Sequence, residues 1–446
     1  MSNIRKSVEE KGIAKYFEFA KSGTSYRTEF IAGLTTFLAM AYILVVNPLT
    51  LQEAGMDFGA VFTATAIAAI VGTLVMGIYA KYPVALAPGM GLNAFFAYSV
   101  VLGMEVPWEQ ALAGVFISGV LFLILALSGI RETIINAIPT GLKHAVAAGI
   151  GLFIAFIGLK NGGIIVPSEA TFVTLGSFAN GPTLLALFGI VVTILLLTRK
   201  IQGAVFYGMI ITTIAGLAFG IIDLPSKIVD LPPNPTALGA LFGPLFDVSS
   251  MFTGTMLVVI LTFLFVDFFD TAGTLLGVAS QAGLMKDNKL PRAGRALAAD
   301  SIATIAGAVV GTSTTTSYIE SSAGVGAGGR TGFTAVVTAG FFVIALFFFP
   351  VLSVITAHVT AAALVVVGIL MATSLGKIEW DKFEEAAPAF ITAISMALTS
   401  SIATGIALGF ILYPLAQLAK GDGKKVHWIM YMMLVVFVLY FIFLRE

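Results

Sequence analysis

Tyr82-Pro83-Val84-Ala85-Leu86-Ala87-Pro88-Gly89-Met90-Gly91-Leu92-Asn93 opens the third of a long series of apolar runs and cannot be one regular helix. Pro83 and Pro88 lack backbone N–H groups, and Gly89 and Gly91 follow closely. The spacing predicts an extended piece leading into a short helix. Irregular backbone flanked by spans of membrane length is tolerated only inside protein or against a cavity, because lipid cannot satisfy its N–H and C=O groups. The counterpart lies in the second half of the chain. Gly311-Thr312-Ser313-Thr314-Thr315-Thr316 precedes a segment rich in Gly and Ser and reads the same way. Interrupted segments at matching positions of two halves point to a substrate site near the bilayer midplane.

The surrounding chain fits a membrane setting. Of 446 residues, 58% are hydrophobic and 11% charged, and the mean hydropathy is +1.00; a soluble domain has about 45–50% apolar and roughly 25% charged residues. Seven apolar runs are read near 30–51, 60–79, 84–102, 111–127, 145–165, 184–198 and 205–222. A connection from Asp223 to Ser250 follows, broken by Pro225, Pro232, Pro233, Pro235 and Pro244. Seven more runs lie near 256–276, 297–310, 312–329, 333–352, 361–374, 390–401 and 402–418, with a last one at 429–444. Whether 390–401 and 402–418 are two spans or one broken span is open at this level. Thr36-Phe37-Leu38 is echoed by Thr262-Phe263-Leu264, and Gln52 to Met56 by Gln281 to Met285. An odd number of spans per half inverts the second repeat. The organisation expected is a segment 1–29, a first inverted repeat 30–222, a connection 223–250, a second repeat 251–420 and a C-terminal hydrophobic segment 421–446.

Arg5, Lys6, Lys11, Lys15, Lys21 and Arg27 precede the first run and are mixed with Glu9, Glu10 and Glu18, unlike a cleavable signal peptide. The positive-inside rule keeps this segment cytoplasmic, with Arg199 and Lys200, Lys286 to Arg295 and Lys420 to Lys425 as further determinants. Net charge is zero, which gives no reason for a nucleic-acid partner. Cysteine is absent, and the three histidines, His144, His358 and His427, are scattered, so neither a metal site nor another cofactor is expected.

Chemistry is carried by acids inside apolar runs, where a carboxylate costs at least ~2.5 kcal/mol on insertion scales. Asp267 and Asp270 are three apart and share a helical face; Asp300 and Glu320 lie in the next two runs. Asp270 and Glu320 stand among small residues that leave room for a cavity. A carboxylate accepts two N–H groups and a protonated carboxyl donates, which suits a neutral planar base with both donors and acceptors on its edge. All four acids are proton-coupling candidates, and Asp270, Glu320, Asn93, Ser321 and Thr271 are the substrate-binding candidates. Asp267 alternatively orients Asp270, Asp300 alternatively pairs with Arg292 or Arg295, and Asn93 alternatively makes an interhelical bond. Arg330 reads as a helix-end anchor, His144 and His358 as helix-end residues, and Gly324 to Gly329 as a close-packing stretch rather than a nucleotide loop.

At Gly23 to Arg27, Gly33 to Leu38, Ala87 to Phe96, Asp267 to Leu275 and Gly311 to Gly332 the chain resembles the adenine, guanine and hypoxanthine permeases, a branch of the nucleobase and ascorbate transporter superfamily. The resemblance spans essentially the whole chain and leans toward the guanine and hypoxanthine members. It implies an all-α polytopic membrane protein of about fourteen segments in two inverted repeats of seven. These form core and gate domains, and segments three and ten open as short antiparallel strands. It further implies that a purine base binds between those strands and segments one and eight, with Asp270 and Glu320 in the places of the two binding acids. Proton-coupled uptake through the plasma membrane, without an enzymatic step, completes the expectation; homodimers are common in the superfamily. Rival readings are an adenine permease of the same family and an anion transporter of the same architecture. A sulfate-type site favours positive groups over two acids. A channel lacks its repeated filter here, and a membrane enzyme its triad or metal motif.

Overall fold

The computed structural model describes residues 12–128, 138–285 and 290–443. Part of the N-terminal charge cluster (Arg5, Lys6, Glu9, Glu10, Lys11) and part of the Lys286 to Arg295 cluster lie outside the described residues. Single-turn helices aside, the first half runs α1 (Tyr26–Met40), α2 (Ile43–Glu53), α3 (Phe58–Val75), β1 (Leu86–Pro88), α4 (Met90–Ala94), α5 (Trp108–Ser128), α6 (Thr140–Asn161), β2 (Ile165–Ser168), β3 (Phe172–Leu175), α7 (Gly181–Thr198) and α8 (Ala204–Ala218). The second half runs α9 (Gly254–Gln281), α10 (Ala293–Val310), β4 (Thr315–Ser317), α11 (Ser321–Gly326), α12 (Gly332–Ala345), α13 (Ala357–Ala372), α14 (Phe383–Leu398), α15 (Ile402–Lys420) and α16 (Trp428–Phe443).

Among the described residues, 10 helices are long and apolar enough to cross a membrane, including the continuous spans Tyr26–Glu53 and Gly254–Gln281. Met90–Gly103, Ala204–Ala218 and Trp428–Leu439 are shorter apolar helices. The uncertain pair of runs is two helices. α14 and α15 pack along each other, separated at Thr399–Ser401, where Ser400 takes a positive φ of 50° and Ser401 caps α15 through Thr404 N–H. One element escaped the sequence reading: β2 and β3 form an antiparallel hairpin, Ile165 opposite Leu175 and Ser168 opposite Phe172. Its signal was present in the β-branched stretches Ile164-Ile165-Val166 and Phe172-Val173-Thr174. The connection after α8 makes only short helices near its end, Phe242–Phe246 and Val248–Met251, as its prolines require.

The helices sort into two packed groups. In one, α1 packs on α11 and α12, α3 on α10 and α12, and α5 on α9 and α10. In the other, α6 packs on α13 and α14, α14 on α15, and α7 on α8 and α13. α16 lies on α15, where Phe437 meets Phe410 at 5.9 Å between ring centroids, and also reaches α9.

β1 and β4 pair antiparallel at the heart of the first group, Leu86 opposite Ser317 and Pro88 opposite Thr315. Every residue of both strands is buried. The ladder extends through Gly89 N–H to Thr314 O (2.9 Å) and Tyr318 N–H to Ala85 O (3.0 Å). On the outer edge of β1, Thr73 of α3 accepts from Leu86 N–H at 2.9 Å and donates to Leu86 O at 3.0 Å. On the β4 edge, Thr304 of α10 donates to Thr315 O at 2.9 Å. Hydroxyls on neighbouring helices thus complete a two-stranded sheet whose residues are all buried.

The start of the first span and the start of α12 are joined by a carboxylate the sequence reading passed over. Glu29 in the first turn of α1 is fully buried and accepts from Arg330 N–H (3.0 Å), Thr331 N–H (3.4 Å) and Thr334 N–H (3.1 Å). It also accepts from the Thr331 (2.8 Å) and Thr334 (2.6 Å) hydroxyls. These donors lie at the start of α12, where unpaired N–H groups and the helix dipole favour a negative charge. The Arg330 guanidinium donates to Val325 O and Gly329 O, both at 2.7 Å, closing the end of α11 as a helix-end anchor. Glu29→Ala strands at least three N–H groups, so we expect it to destabilise the protein by at least ~3 kcal/mol. Glu29→Gln, which keeps an acceptor oxygen, is expected to lose less. Thermal unfolding of the detergent-purified protein, followed by loss of the monodisperse peak, checks this.

Candidate functional site

α9 positions two of the four acids. Its sequence Phe265-Val266-Asp267-Phe268-Phe269-Asp270-Thr271 turns the acids toward the strands. Asp267 is 1% exposed and accepts from the Thr304 hydroxyl at 3.0 Å; its other carboxyl oxygen has no hydrogen-bond partner. Asp300 of α10 is fully buried, accepts from Ser317 of β4 at 2.8 Å, and also keeps one oxygen without a partner. The two carboxyls are electrostatic neighbours. No ion pair reaches either of them among the described residues, so the alternative pairing of Asp300 with Arg292 or Arg295 is not formed. Both acids are instead bound to β4, Asp300 through Ser317 and Asp267 through Thr304, which also holds Thr315 O.

Asp270 and Glu320 differ from that pair in being half-buried, each with charge facing the other. The face of α9 that carries Asp270 and Gly273 is open, with no atom within 4 Å of where a Cβ on Gly273 would sit. Gly277, one turn on, meets only Ile319, at 3.5 Å. Glu320 stands between β4 and α11, and its Oε1 accepts from the Tyr42 hydroxyl at 2.6 Å. The arrangement is therefore two carboxyls from separate elements, beside a space, with a buried tyrosine fixing one of them.

The other three candidates sit behind these acids. Asn93 is fully buried; its amide oxygen accepts from Ser313, and its amide nitrogen donates to Pro88 O at 3.4 Å. Ser321 is buried and accepts from Ala85 N–H at 3.0 Å, and Thr271 shares a 2.7 Å hydrogen bond with Thr316. All three tie β1, β4 and their helices together. Tyr318 adds to the frame by donating to Pro88 O at 2.5 Å.

Tyr42 and Asn47 were missed from sequence. Asn47 is fully buried and donates to Thr65 at 2.7 Å and Thr312 at 2.8 Å, joining the first span to α3 and to the approach to β4. The signal was Asn47-Pro48 inside an apolar run, since a proline frees and crowds the carbonyl four residues earlier. A narrow crevice between the two helix groups is lined by Lys143 and Val146 of α6, Phe265 and Val266 of α9, and Ile406 and Phe410 of α15 among others. It begins one turn from Asp270 along α9.

Residues 27–408, which include all four acids together with Tyr42, Asn47, Asn93, Thr271 and Ser321, match the Permease family. The chain belongs to this family. The permease is 58% identical to the guanine/hypoxanthine permease PbuG of Bacillus subtilis, over 96% of this chain and 99% of that one. It is 46% identical to PbuO, a second guanine/hypoxanthine permease of that bacterium, over 92% and 96%. Identity to the adenine permease AdeQ of Escherichia coli is 41%, over 94% of each chain. These relatives fall in the branch that the motifs resemble. In fold, the permease is similar to the transmembrane domain of the cyanobacterial bicarbonate transporter BicA, with a TM-score of 0.64 at 14% identity, covering 84% of this chain and 96% of that one. It is thus a multi-pass membrane permease with the fold of that group, and transport rather than enzymatic conversion is its activity.

The permease's glycine stretch is a packing device. A Cβ on Gly324 would lie 2.0 Å from the Thr36 hydroxyl oxygen and 2.6 Å from Ala32 O. Gly324→Ala therefore pushes α11, and Glu320 with it, off α1. Overpacking of this kind costs ~1–3 kcal/mol. We expect initial uptake per membrane-inserted molecule to fall roughly thirtyfold, the fold-equivalent of the middle of that range, measured against wild type at equal surface amount.

Proposed function

We propose that this permease takes up purine nucleobases, guanine and hypoxanthine in preference to adenine, together with protons, by alternating access. The observation that carries the reading is the pair of half-buried acids, Asp270 and Glu320, which are electrostatic neighbours and form no ion pair among the described residues. Guanine and hypoxanthine are neutral at physiological pH and present N–H groups on separate edges, so two carboxyls on different elements can each accept from one edge. The names of the relatives at 58% and 46% identity agree with this preference, while adenine permeases stand at lower identity. Asn93, Ser321 and Thr271 then serve the base by holding the strands and helices that carry the acids.

Proton coupling falls to the inner pair in this reading. Neighbouring carboxyls inside membrane-spanning helices are the usual parts of a transporter's proton relay. Asp267 and Asp300 each have one unpartnered oxygen with which to hold a proton. Both are bonded to β4, which runs into Glu320, so loss of the proton is felt at the base site. The same reading divides the chain into inverted repeats 30–222 and 251–420 joined by 223–250. β1–α4 and β4–α11 are the matching broken segments. It sets the protein in the plasma membrane with a cytoplasmic N-terminus. A homodimeric assembly rests on the family resemblance alone.

Uptake of labelled hypoxanthine in cells lacking their own purine permeases tests the reading. We expect guanine to compete strongly and adenine weakly, a protonophore to abolish accumulation, and Glu320→Gln to lower uptake about ten- to hundredfold, the worth of a charge-assisted hydrogen bond. Adenine as the strongest competitor would reverse the preference. No uptake of any base by well-inserted protein would end the purine reading. For Asp300→Asn we expect equilibrium binding of hypoxanthine to persist while accumulation against a gradient is lost; equal loss of both would place Asp300 in the binding site instead.

A further inference from the structure

Among the described residues, no side chain close in sequence holds Glu320; the local support of its carboxyl is its own backbone N–H. It precedes α11, a helix of 6 residues, and its side chain does not cap that helix. A glutamate with free rotamers is a poor reader of a planar ligand, because each ligand that binds must also order it. The side chain that orders Glu320 comes from 278 residues away: the Tyr42 hydroxyl, donating to Oε1 at 2.6 Å.

Tyr42 reaches that position through a kink in the first span. Pro48 offers no N–H to the Leu44 carbonyl, and its ring crowds that carbonyl. Just before it the ladder tightens: Leu44 N–H bonds Ala41 O and Val45 N–H bonds Tyr42 O, both at 3.1 Å and both spanning three residues rather than four. The tightened turn separates α1 from α2 at Ala41 and Tyr42. It points the tyrosine at the segment after β4 with only 1% of its surface exposed. A buried phenol whose hydroxyl bonds Glu320, and no other side chain among the described residues, is an effective lock, since breaking the bond strands it.

We propose that Tyr42 is a positioning residue for ligand recognition: it occupies Oε1 of Glu320 and leaves Oε2 as the single oxygen turned toward an N–H-bearing planar base. With the hydroxyl donating to Oε1, a proton taken up by Glu320 goes to Oε2 for as long as the tyrosine remains the donor. The oxygen facing the ligand is thus the one that switches between accepting and donating. This rests on the purine reading for the ligand, but not for the tyrosine–glutamate bond itself.

The test is Tyr42→Phe, which removes one oxygen and keeps the buried ring. In hypoxanthine uptake we expect KM to rise about tenfold with Vmax per inserted molecule within about twofold of wild type, and equilibrium binding to weaken by the same factor as KM. A purely structural role would lower the amount of folded protein or Vmax and leave KM alone, and that result overturns the proposal. Infrared spectra of the purified protein without ligand give a second readout. The carboxyl band that Glu320→Gln removes should shift in Tyr42→Phe, and an unmoved band overturns the proposal whatever the transport data say. If wild type binds no purine, the purine reading falls and the infrared arm alone decides on Tyr42. If Tyr42→Phe does not accumulate, the tyrosine ring mode that should shift in Glu320→Gln reads the same bond from its other end; no such shift overturns the proposal.

Discussion

A peptide group in hydrocarbon must find its hydrogen-bond partner inside the protein, and the centre of this molecule is an answer to that constraint. β1 and β4 are only three residues each, come from opposite halves of the chain, and complete one another. What their pairing leaves over is taken by hydroxyls: Thr73 on the β1 edge, Thr304 on the β4 edge, and Tyr318 at Pro88 O. Because the strands are short, the helices that follow them begin near the middle of the helix stack. Side chains at the strand–helix junctions therefore enter the site from the interior rather than from a surface loop.

The acids inherit their different roles from that frame. Asp267 and Asp300 are bonded to hydroxyls that also touch or belong to β4, and each is closed off from the cavity. Asp270 and Glu320 are half-buried and face the open side of α9. In the proposed coupling, a charge change in the inner pair passes to the outer pair through β4, whose residues are all buried. Glu29 performs the complementary task at the edge of the group, where its carboxylate binds the start of α12 to the start of α1 and makes the two halves one packed body.

Much of this was legible beforehand. The apolar runs, the two interrupted segments and the four intramembrane acids all stand out because lipid penalises what breaks a uniform apolar helix, and a penalised residue needs a reason. The residues that escaped are those that lipid does not penalise or that lie at its margin. Tyr42 is an ordinary residue in an apolar run, and Glu29 sits at the very start of one, where a charge attracts no notice. Asn47-Pro48 was a usable signal that went unread. The β2–β3 hairpin lies in a connection, where short β-branched stretches compete with many other readings.

By itself the sequence determined the solvent, the number of apolar runs, the places where helices must break and the acids that demand a function, since each of these follows from local transfer energies and backbone chemistry. Only the tertiary structure decided which breaks meet, which acids share an environment and which face a cavity. It also decided that Glu320 is held by a tyrosine 278 residues away. Those choices depend on how helices distant in the chain pack side by side. A side chain's partner across such a contact is fixed by geometry that no local pattern encodes.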